Sequence, residues 1–402
     1  MLRESDAVAG QTPAESLRVE LISDLRAFAS MRAEWSALLE ESDAAIFNGW
    51  DWLYPWYRRI APSFDPWVLA ARDGAGRLCG ILPLAREERR LGPARVRRLR
   101  ILGDQRVGSD YLDVVAAPAR RGEVTRAFAR ELLARRAEWD VLDLNDLDER
   151  SPTPAVLLDL FDGSGWEVRT FECSVCPNET FLDGETFDQF LRRTRRRDNY
   201  LRRRKWFEKQ EGYRLEISTD PAALTRPLAE FFRLHALRWA EDGGSSGITG
   251  SRVEAFHRDA THLLAQAGKL RLYTLWVGQV AVASVYGIVH RDTFLYYQSG
   301  MDPEWRSKSA GMVVVGATFE DAIQSGLRHY DFLRGTEAYK SDWVSKLRRT
   351  IGLRLVSRQG VGPWWARADD GRRAGKNWVK RALPEHVVER MKRLRRQLAQ
   401  AA

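Results

Sequence analysis

The chain lacks any uninterrupted apolar run of the roughly 18 residues that a membrane span needs, although 44% of its 402 residues are hydrophobic. Its opening segment, MLRESDAVAGQTPAES, has no apolar stretch of the kind a secretory signal carries. Residues 1–16 read as a disordered lead, and a cytoplasmic location is expected. Cysteine is scarce, with three in all, as in a reducing compartment. Cys173 and Cys176 form a C-x-x-C, but no second pair and no matching histidine cluster follow. A zinc site needs four ligands, so no metal is expected. Histidine is scarce as well: His235, His257, His262, His290, His329 and His386. None forms H-E-x-x-H. G-x-G-x-x-G and GxxxxGK[ST] are absent, and G-x-S-x-G is spelled by Gly243 to Gly247 inside a Gly-Ser-rich connection between two helical patterns, not at a strand-to-helix turn, so hydrolase-triad, dinucleotide and P-loop readings fall away.

Aromatic residues and positive charge are plentiful. Fifteen Trp and sixteen Phe suffice for large cores, and the length favours two domains. The net charge of +9 is unevenly spread. Arg192 to Lys209 holds ten basic residues against two acids, and the segment from Val361 onward holds eleven against four. Such surfaces suit anionic partners: nucleic acid, anionic lipid or phosphorylated small molecules.

Periodicity divides the chain into two similar α/β units with mixed sheets flanked by helices. Residues 17–175 begin with the strand LRVELI and a helix from Asp24 to Glu40 capped by Ser23. An aromatic helix Trp50–Ile60 follows, then a hairpin turning at Asp73-Gly-Ala-Gly. A helix Arg120–Arg136, the strand WDVLDLNDL, a second helix and the closing strand WEVRTFE complete the unit. Residues 176–358 repeat the plan. They open with a helix Glu185–Gln210 and continue through helices Pro221–Ala240 and Ser251–Ala267, separated by a flexible Asp242-Gly-Gly-Ser-Ser-Gly. A hairpin turns at Val277-Gly278-Gln279, and TIGLRLVS is the final strand. Overlaying the units sets Asp143 opposite Asp331 and helix Arg120–Arg136 opposite Gly311–Ser325. Residues 359–402 read as a basic amphipathic tail, with Trp364, Trp365 and Trp378 suited to an anionic membrane surface.

In the second unit, apolar strands lead into Trp305-Arg-Ser-Lys-Ser-Ala-Gly311 and then straight into a helix. Unpaired first-turn N–H groups and the helix dipole favour an anion there. Small residues at Ser309, Ala310 and Gly311 let backbone approach a pyrophosphate closely, and Arg306 and Lys308 add charge. The candidate donor site is therefore Arg306, Lys308, Ser309, Ala310, Gly311 and Met312. Downstream, DFLRGTEAYKSDW supplies Asp331, a candidate general base or a structural carboxylate, with Glu337 as a nearby second carboxylate. It also supplies Arg334, and Tyr339 to protonate a leaving group or to pack. Lys340 is placed to meet phosphate or a developing oxyanion. Trp343 and, in the basic run, Trp206 are candidate acceptor contacts; Trp206 can also stack on a sugar or base.

Taken with FNGWDWLYPWYR, GILPLARE, GSDYLDVV, NYLRRRKW and SAG before a helix, these motifs resemble the CelD/BcsL-like acetyltransferase family of the GNAT superfamily, related to the Fem aminoacyltransferases. The likeness runs over residues 17–358. It implies tandem duplicated GNAT-like domains and an acyl group moved from acetyl-CoA or another acyl-CoA by direct attack. The acceptor it implies is an amine or hydroxyl of a small molecule or saccharide, in cellulose or exopolysaccharide production. Catalysis would fall to Asp331, Tyr339 and Lys340, and acceptor contacts to Arg334, Glu337, Trp343 and Trp206. Two other readings stay open: a Fem-like enzyme using aminoacyl-tRNA, and a non-enzymatic basic adaptor for nucleic acid or membrane. A peripheral position at the inner membrane face would follow from the tail.

Overall fold

The computed structural model describes residues 17–103, 107–240, 248 and 250–371. The expected lead, the Gly-Ser-rich loop at 242–247 and the tail beyond 371, Trp378 included, lie outside the described residues. The first half runs β1 (Arg18–Ile22), α1 (Leu25–Ser30), α2 (Arg32–Glu41), α3 (Trp50–Ile60), β2 (Asp65–Arg72), β3 (Leu78–Leu91), β4 (Ala94–Ile101), β5 (Val115–Ala116), α4 (Arg121–Ala134), β6 (Val141–Asp148), α5 (Thr153–Phe161) and β7 (Trp166–Thr180). The second half runs α6 (Phe187–Arg193), α7 (Arg197–Glu208), β8 (Arg214–Ser218), α8 (Thr225–Ala240), α9 (Ser251–Gln266), β9 (Leu270–Val277), β10 (Val280–His290), β11 (Thr293–Met301), α10 (Ala310–Gln324), β12 (His329–Asp331), α11 (Ala338–Ser341) and β13 (Lys346–Ser357).

Two expected helices are broken. The helix expected over Asp24–Glu40 is α1 and α2, and its cap is Asp24, not Ser23: the Asp24 carboxylate accepts from the Ala27 N–H at 2.9 Å. The helix expected over Glu185–Gln210 is α6 and α7. Arg195, at φ 57°, stands outside helical geometry between them, and a Thr186–Gln189 capping box starts α6 at Phe187.

All strands join one mixed sheet in the order β1-β2-β3-β4-β6-β13-β7-β12-β11-β10-β9-β8, with β5 beside β3. The last strand, TIGLRLVS, does not close the second half. It lies between β6 and β7, with Leu353 opposite both Leu144 and Thr170. Thr350, Leu353 and Leu355 are fully buried, as suits a strand paired on both sides. β7 is long enough to serve both halves. Its start pairs with the end of β13, and its last three residues pair with β12. The boundary expected between 175 and 176 falls inside this strand.

Two apolar clusters lie on the two faces of the second half's strands. One holds Tyr296, Tyr330 and Phe332 with Phe319 of α10, where the Phe319 and Tyr330 rings stack at 3.7 Å. The other holds Leu295, Tyr297 and Leu333 together with the first half's core. Strand alternation thus sends neighbouring residues to opposite faces.

Candidate active site

Each half contains one short parallel strand pair bridged by a helix. β4 and β6 pair over Arg98–Arg100 and Val141–Asp143; β11 and β12 pair over Thr293–Leu295 and His329–Asp331. Past these pairs the strands part. β11 continues to Met301 paired with β10, whereas the chain after Asp331 turns to β7, with the Phe332 N–H donating to Pro177 O at 2.9 Å. The gap in the second half is a cavity of about 370 Å³.

The connection from β11 to α10 shapes one wall. The Asp302 carboxylate accepts from Glu304 N–H at 3.0 Å and starts a 3-10 turn, Pro303–Lys308. Ser309 then adopts φ 65°, a left-handed corner from which α10 departs. Gly311, expected from sequence to end the loop, lies in the first helical turn, because α10 starts one residue earlier at Ala310. A Cβ there would stand 3.2 Å from the Met301 sulfur, so glycine lets the helix start close against β11. The first bond of the helical ladder runs from Val313 N–H to Ser309 O at 3.1 Å. The N–H groups of residues 310–312 precede it, as at any helix start. Gly311 N–H meets the weak Met301 sulfur acceptor at 3.3 Å.

Three guanidinium groups, from Arg196, Arg238 and Arg306, join this helix end around the cavity. Arg238, on α8, donates to Ser299 Oγ and sits 5.3 Å from the Tyr339 ring centre. Arg196 donates to Asp342 O at 3.0 Å and pairs with the Asp342 carboxylate. The Tyr339 and Tyr296 hydroxyls lie 3.4 Å apart. Burial, and then the neighbouring Tyr339, push the Tyr296 phenol well above its usual value. Met301, Met312, Val314, Val315 and Trp343 supply apolar walls. Such a site can hold a phosphorylated ligand with an apolar arm and offer a phenol proton at its inner end.

Of the residues singled out from sequence, Arg306, Ser309, Gly311, Met312, Tyr339 and Trp343 gather here. Trp343 also stacks on Phe319 at 5.1 Å. Ala310 is buried under the helix start. Lys308 turns away, its Nζ 4.9 Å from the Trp206 ring, and neither lines the cavity. Lys340 is buried. Its ammonium donates to Arg334 O at 2.8 Å and Phe332 O at 3.3 Å, and pairs with Glu337 at 2.9 Å. Held by two carbonyls and the Glu337 carboxylate, Lys340 ties down the loop and is not presented to a phosphate or an oxyanion. Gly335, at φ 121°, completes that knot: a Cβ there would fall 2.3 Å from Glu337 Oε2.

Asp331 and Arg334 turn to the first half. Arg334 Nε donates to Asp110 Oδ1 at 2.8 Å, its backbone N–H to Asp110 Oδ2 at 3.0 Å, and its guanidinium reaches Asp146 at 3.2 Å. Asp331, between Tyr330 and Phe332, points to the face opposite α10. It accepts from the Tyr111 hydroxyl at 2.8 Å and from Leu333 N–H at 2.7 Å. Burial raises its pKa to about 7. It lines a second cavity at the seam, so the base role expected of it has no geometric footing at the first. Sequence reasoning passed over Arg196, Arg238, Tyr296 and Ser299, which come from α8, β11 and the α6–α7 corner. Among the described residues, all three cysteines are free thiols, and no group of His, Cys, Asp and Glu is placed to hold a metal.

Residues 194–341 match the acetyltransferase (GNAT) domain family, a span containing all the cavity's lining residues except Asp342 and Trp343. Among solved structures, FemX is similar at 12% identity over 82% of this chain and 96% of that one, with a TM-score of 0.57. A conserved protein of unknown function from Bacteroides thetaiotaomicron aligns at 13% identity over 84% and 100%, with a TM-score of 0.52. These two likenesses are of fold. A tandem GNAT protein from the clavulanic acid biosynthesis pathway aligns at 14% identity over 84% and 98%, with a TM-score of 0.45, too low to weigh. No protein of curated function matches the chain in sequence.

Proposed function

We propose that this chain is an acyltransferase that passes an acyl group from acetyl-CoA, or another acyl-CoA, to an amine or hydroxyl. The supporting observation is the convergence of Arg196, Arg238 and Arg306 with the α10 N-terminus on the gap between β11 and β12. Phosphates would meet the guanidinium groups and first-turn N–H groups, and the pantetheine arm the apolar wall. The acceptor nitrogen or oxygen attacks the thioester carbonyl directly, its bond to carbon forms, and the C–S bond breaks. Tyr339 donates its phenolic proton to the departing thiolate, and the acceptor's released proton restores the phenol. Tyr296 and Arg238 hold Tyr339 in place. A saccharide or envelope metabolite is the acceptor we favour, on the resemblance of the motifs alone.

A second donor, aminoacyl-tRNA, is favoured by one observation: Arg195, Arg202, Lys205 and Lys209 are exposed on and around α7, beside Arg196 at the cavity. Calorimetric titration of acetyl-CoA and longer acyl-CoAs separates the two. Saturable binding that weakens at least tenfold in Arg238→Ala/Arg306→Ala is expected, since a charge-assisted bond contributes about 1.5–3 kcal/mol. Absence of any acyl-CoA binding, with a charged-tRNA gel shift that collapses as salt rises, would instead establish the second donor.

A further inference from the structure

Arg238 enters the open gap from the far side of the sheet. α8 packs on the face opposite α10, where its Leu228 and Phe231 join Leu295 and Tyr297. Its backbone comes against β11 at Gly300, where a Cβ would fall 2.3 Å from the His235 nitrogen. A larger residue there would push α8 away. Arg238, most of a turn past His235, therefore stands at the open edge of β11 and lines the cavity. Its guanidinium crosses the gap to donate to Ser299 Oγ. Ser299 is on the α10 face, because it pairs with Val285 and Val285 belongs to the cluster that α10 covers. Gly300 and Arg238 together carry a positive charge from one face through to the other.

β11 orders the cavity by depth. Tyr296 comes directly after the last residue paired with β12, and Met301 stands at the helix start, its sulfur 3.3 Å from Gly311 N–H. Ser299 and Arg238 lie between. The Arg238 guanidinium is flanked by the rings of Tyr339 and Trp239, at 5.3 and 5.1 Å from their centres, which steadies its planar fork. One of its five N–H groups meets Ser299, and among the described residues no carboxylate pairs with it. Glu337, whose charge reaches it, is already paired with Lys340 at 2.9 Å. Arg196, by contrast, has Asp342 as its partner. A guanidinium drawn out of water without a counter-charge is costly, and neither a thioester nor a neutral amine supplies one. A planar fork matches the two oxygens of a carboxylate. We infer that a carboxylate of the substrate, carried by the acceptor or by the acyl group, seats on Arg238. The substrate class is then an amino acid or other carboxylated amine, or a dicarboxylic acyl group. That this seat adjoins the reacting carbon rests on the acyl-CoA reading; the carboxylate itself does not.

Two binding measurements on the full chain test it and separate the two sources. Calorimetry compares succinyl-CoA with acetyl-CoA. Saturation-transfer NMR compares alanine, serine and phenylalanine with their α-amides, with inorganic phosphate as the anion control. In at least one arm the carboxylate form is expected to bind about tenfold more tightly, as a charge-assisted bond allows. That preference should vanish in Arg238→Gln and survive in part in Arg238→Lys, which keeps the charge without the fork. A preference in the first arm alone puts the carboxylate on the acyl group, and in the second alone on the acceptor. The inference is overturned if neither arm shows a preference, if the preference persists in Arg238→Gln, or if phosphate binds and no carboxylate does. It is equally overturned if Arg238→Gln slows turnover while both forms bind alike, which would make Arg238 a support for Tyr339 and nothing more. Absence of any acyl-CoA binding would remove the donor reading, and the amino-acid arm would still decide the carboxylate.

Discussion

Asp143 and Asp331 occupy the same place in the two halves, each the third residue of the inner strand where a parallel pair ends. Their surroundings differ. Asp143 is gripped by Arg98 Nε at 2.5 Å and Arg354 Nε at 2.6 Å. Burial alone would raise its carboxyl, but these two guanidinium groups outweigh burial and hold it below the usual carboxylate range. Asp331 has only neutral donors within bonding distance, Tyr111 and Leu333, and rises to about 7. The openings beyond the two pairs differ as well. In the first half the chain itself fills the gap. Leu112 N–H bonds Asp146 O at 3.0 Å, Asn48 braces Tyr111 O and Asp113 N–H at 2.8 and 2.7 Å, and Arg334 enters from the other half. In the second half β11 runs on to Met301 and returns as a tight turn, and the gap stays open. One gap is filled by the chain itself and the other is left open.

Changes at the open gap should act on turnover and those at the filled gap on stability. Tyr339→Phe is expected to lower kcat by about 10²- to 10⁴-fold, the range of a lost general acid, with KM and melting temperature nearly unchanged. A phenol that merely packs would leave kcat where it was, and steady-state kinetics with an acyl-CoA donor decides. At the filled gap, Asp110→Ala strips the fully buried partner of Arg334. Breaking such a pair costs about 3–5 kcal/mol, to be read by urea denaturation, while acyl-CoA affinity in the folded protein stays within twofold. A loss of affinity without a loss of stability would reverse the assignment of the two gaps.

The pH dependence of stability turns on Asp331. Its folded pKa lies above its ordinary value of 3.8, so the unfolded chain gives up this proton first as pH rises. The folded state then binds more protons, and stability falls between the ordinary value and about pH 7 before levelling off. Asp331→Asn should remove that part of the slope when urea midpoints are compared at pH 5 and pH 8. The same substitution at Asp143, whose shift has the opposite sign, should remove stability that is present at neutral pH and lost in acid.

Features set by local chemistry were legible in the sequence. The hairpin at Val277-Gly278-Gln279 forms with Val280 opposite Val277, and the run after Trp305 does break into a turn and a helix. What depended on distant partners was not legible. The pattern of TIGLRLVS says that it is buried, but not that β6 and β7 leave a place for it. Arg238 sits in an ordinary amphipathic helix, and its approach to Tyr339 exists only once α8 packs on β11. Lys340 looked available because lysine is usually solvated, and the two carbonyls and the carboxylate that hold it come from a loop whose path no short pattern describes. The placing of Asp331 was partly readable. Tyr330 and Phe332 flank it with apolar side chains, so period-two alternation already sends its carboxylate to the opposite face.

Hydrogen–deuterium exchange with and without saturating acetyl-CoA tests most directly that the second gap, and not the first, receives the donor. Protection is expected in peptides covering Tyr296–Met301 and Arg306–Val315, with no change at Gly108–Val115. Protection at Gly108–Val115, with Arg306–Val315 unaltered, would contradict it.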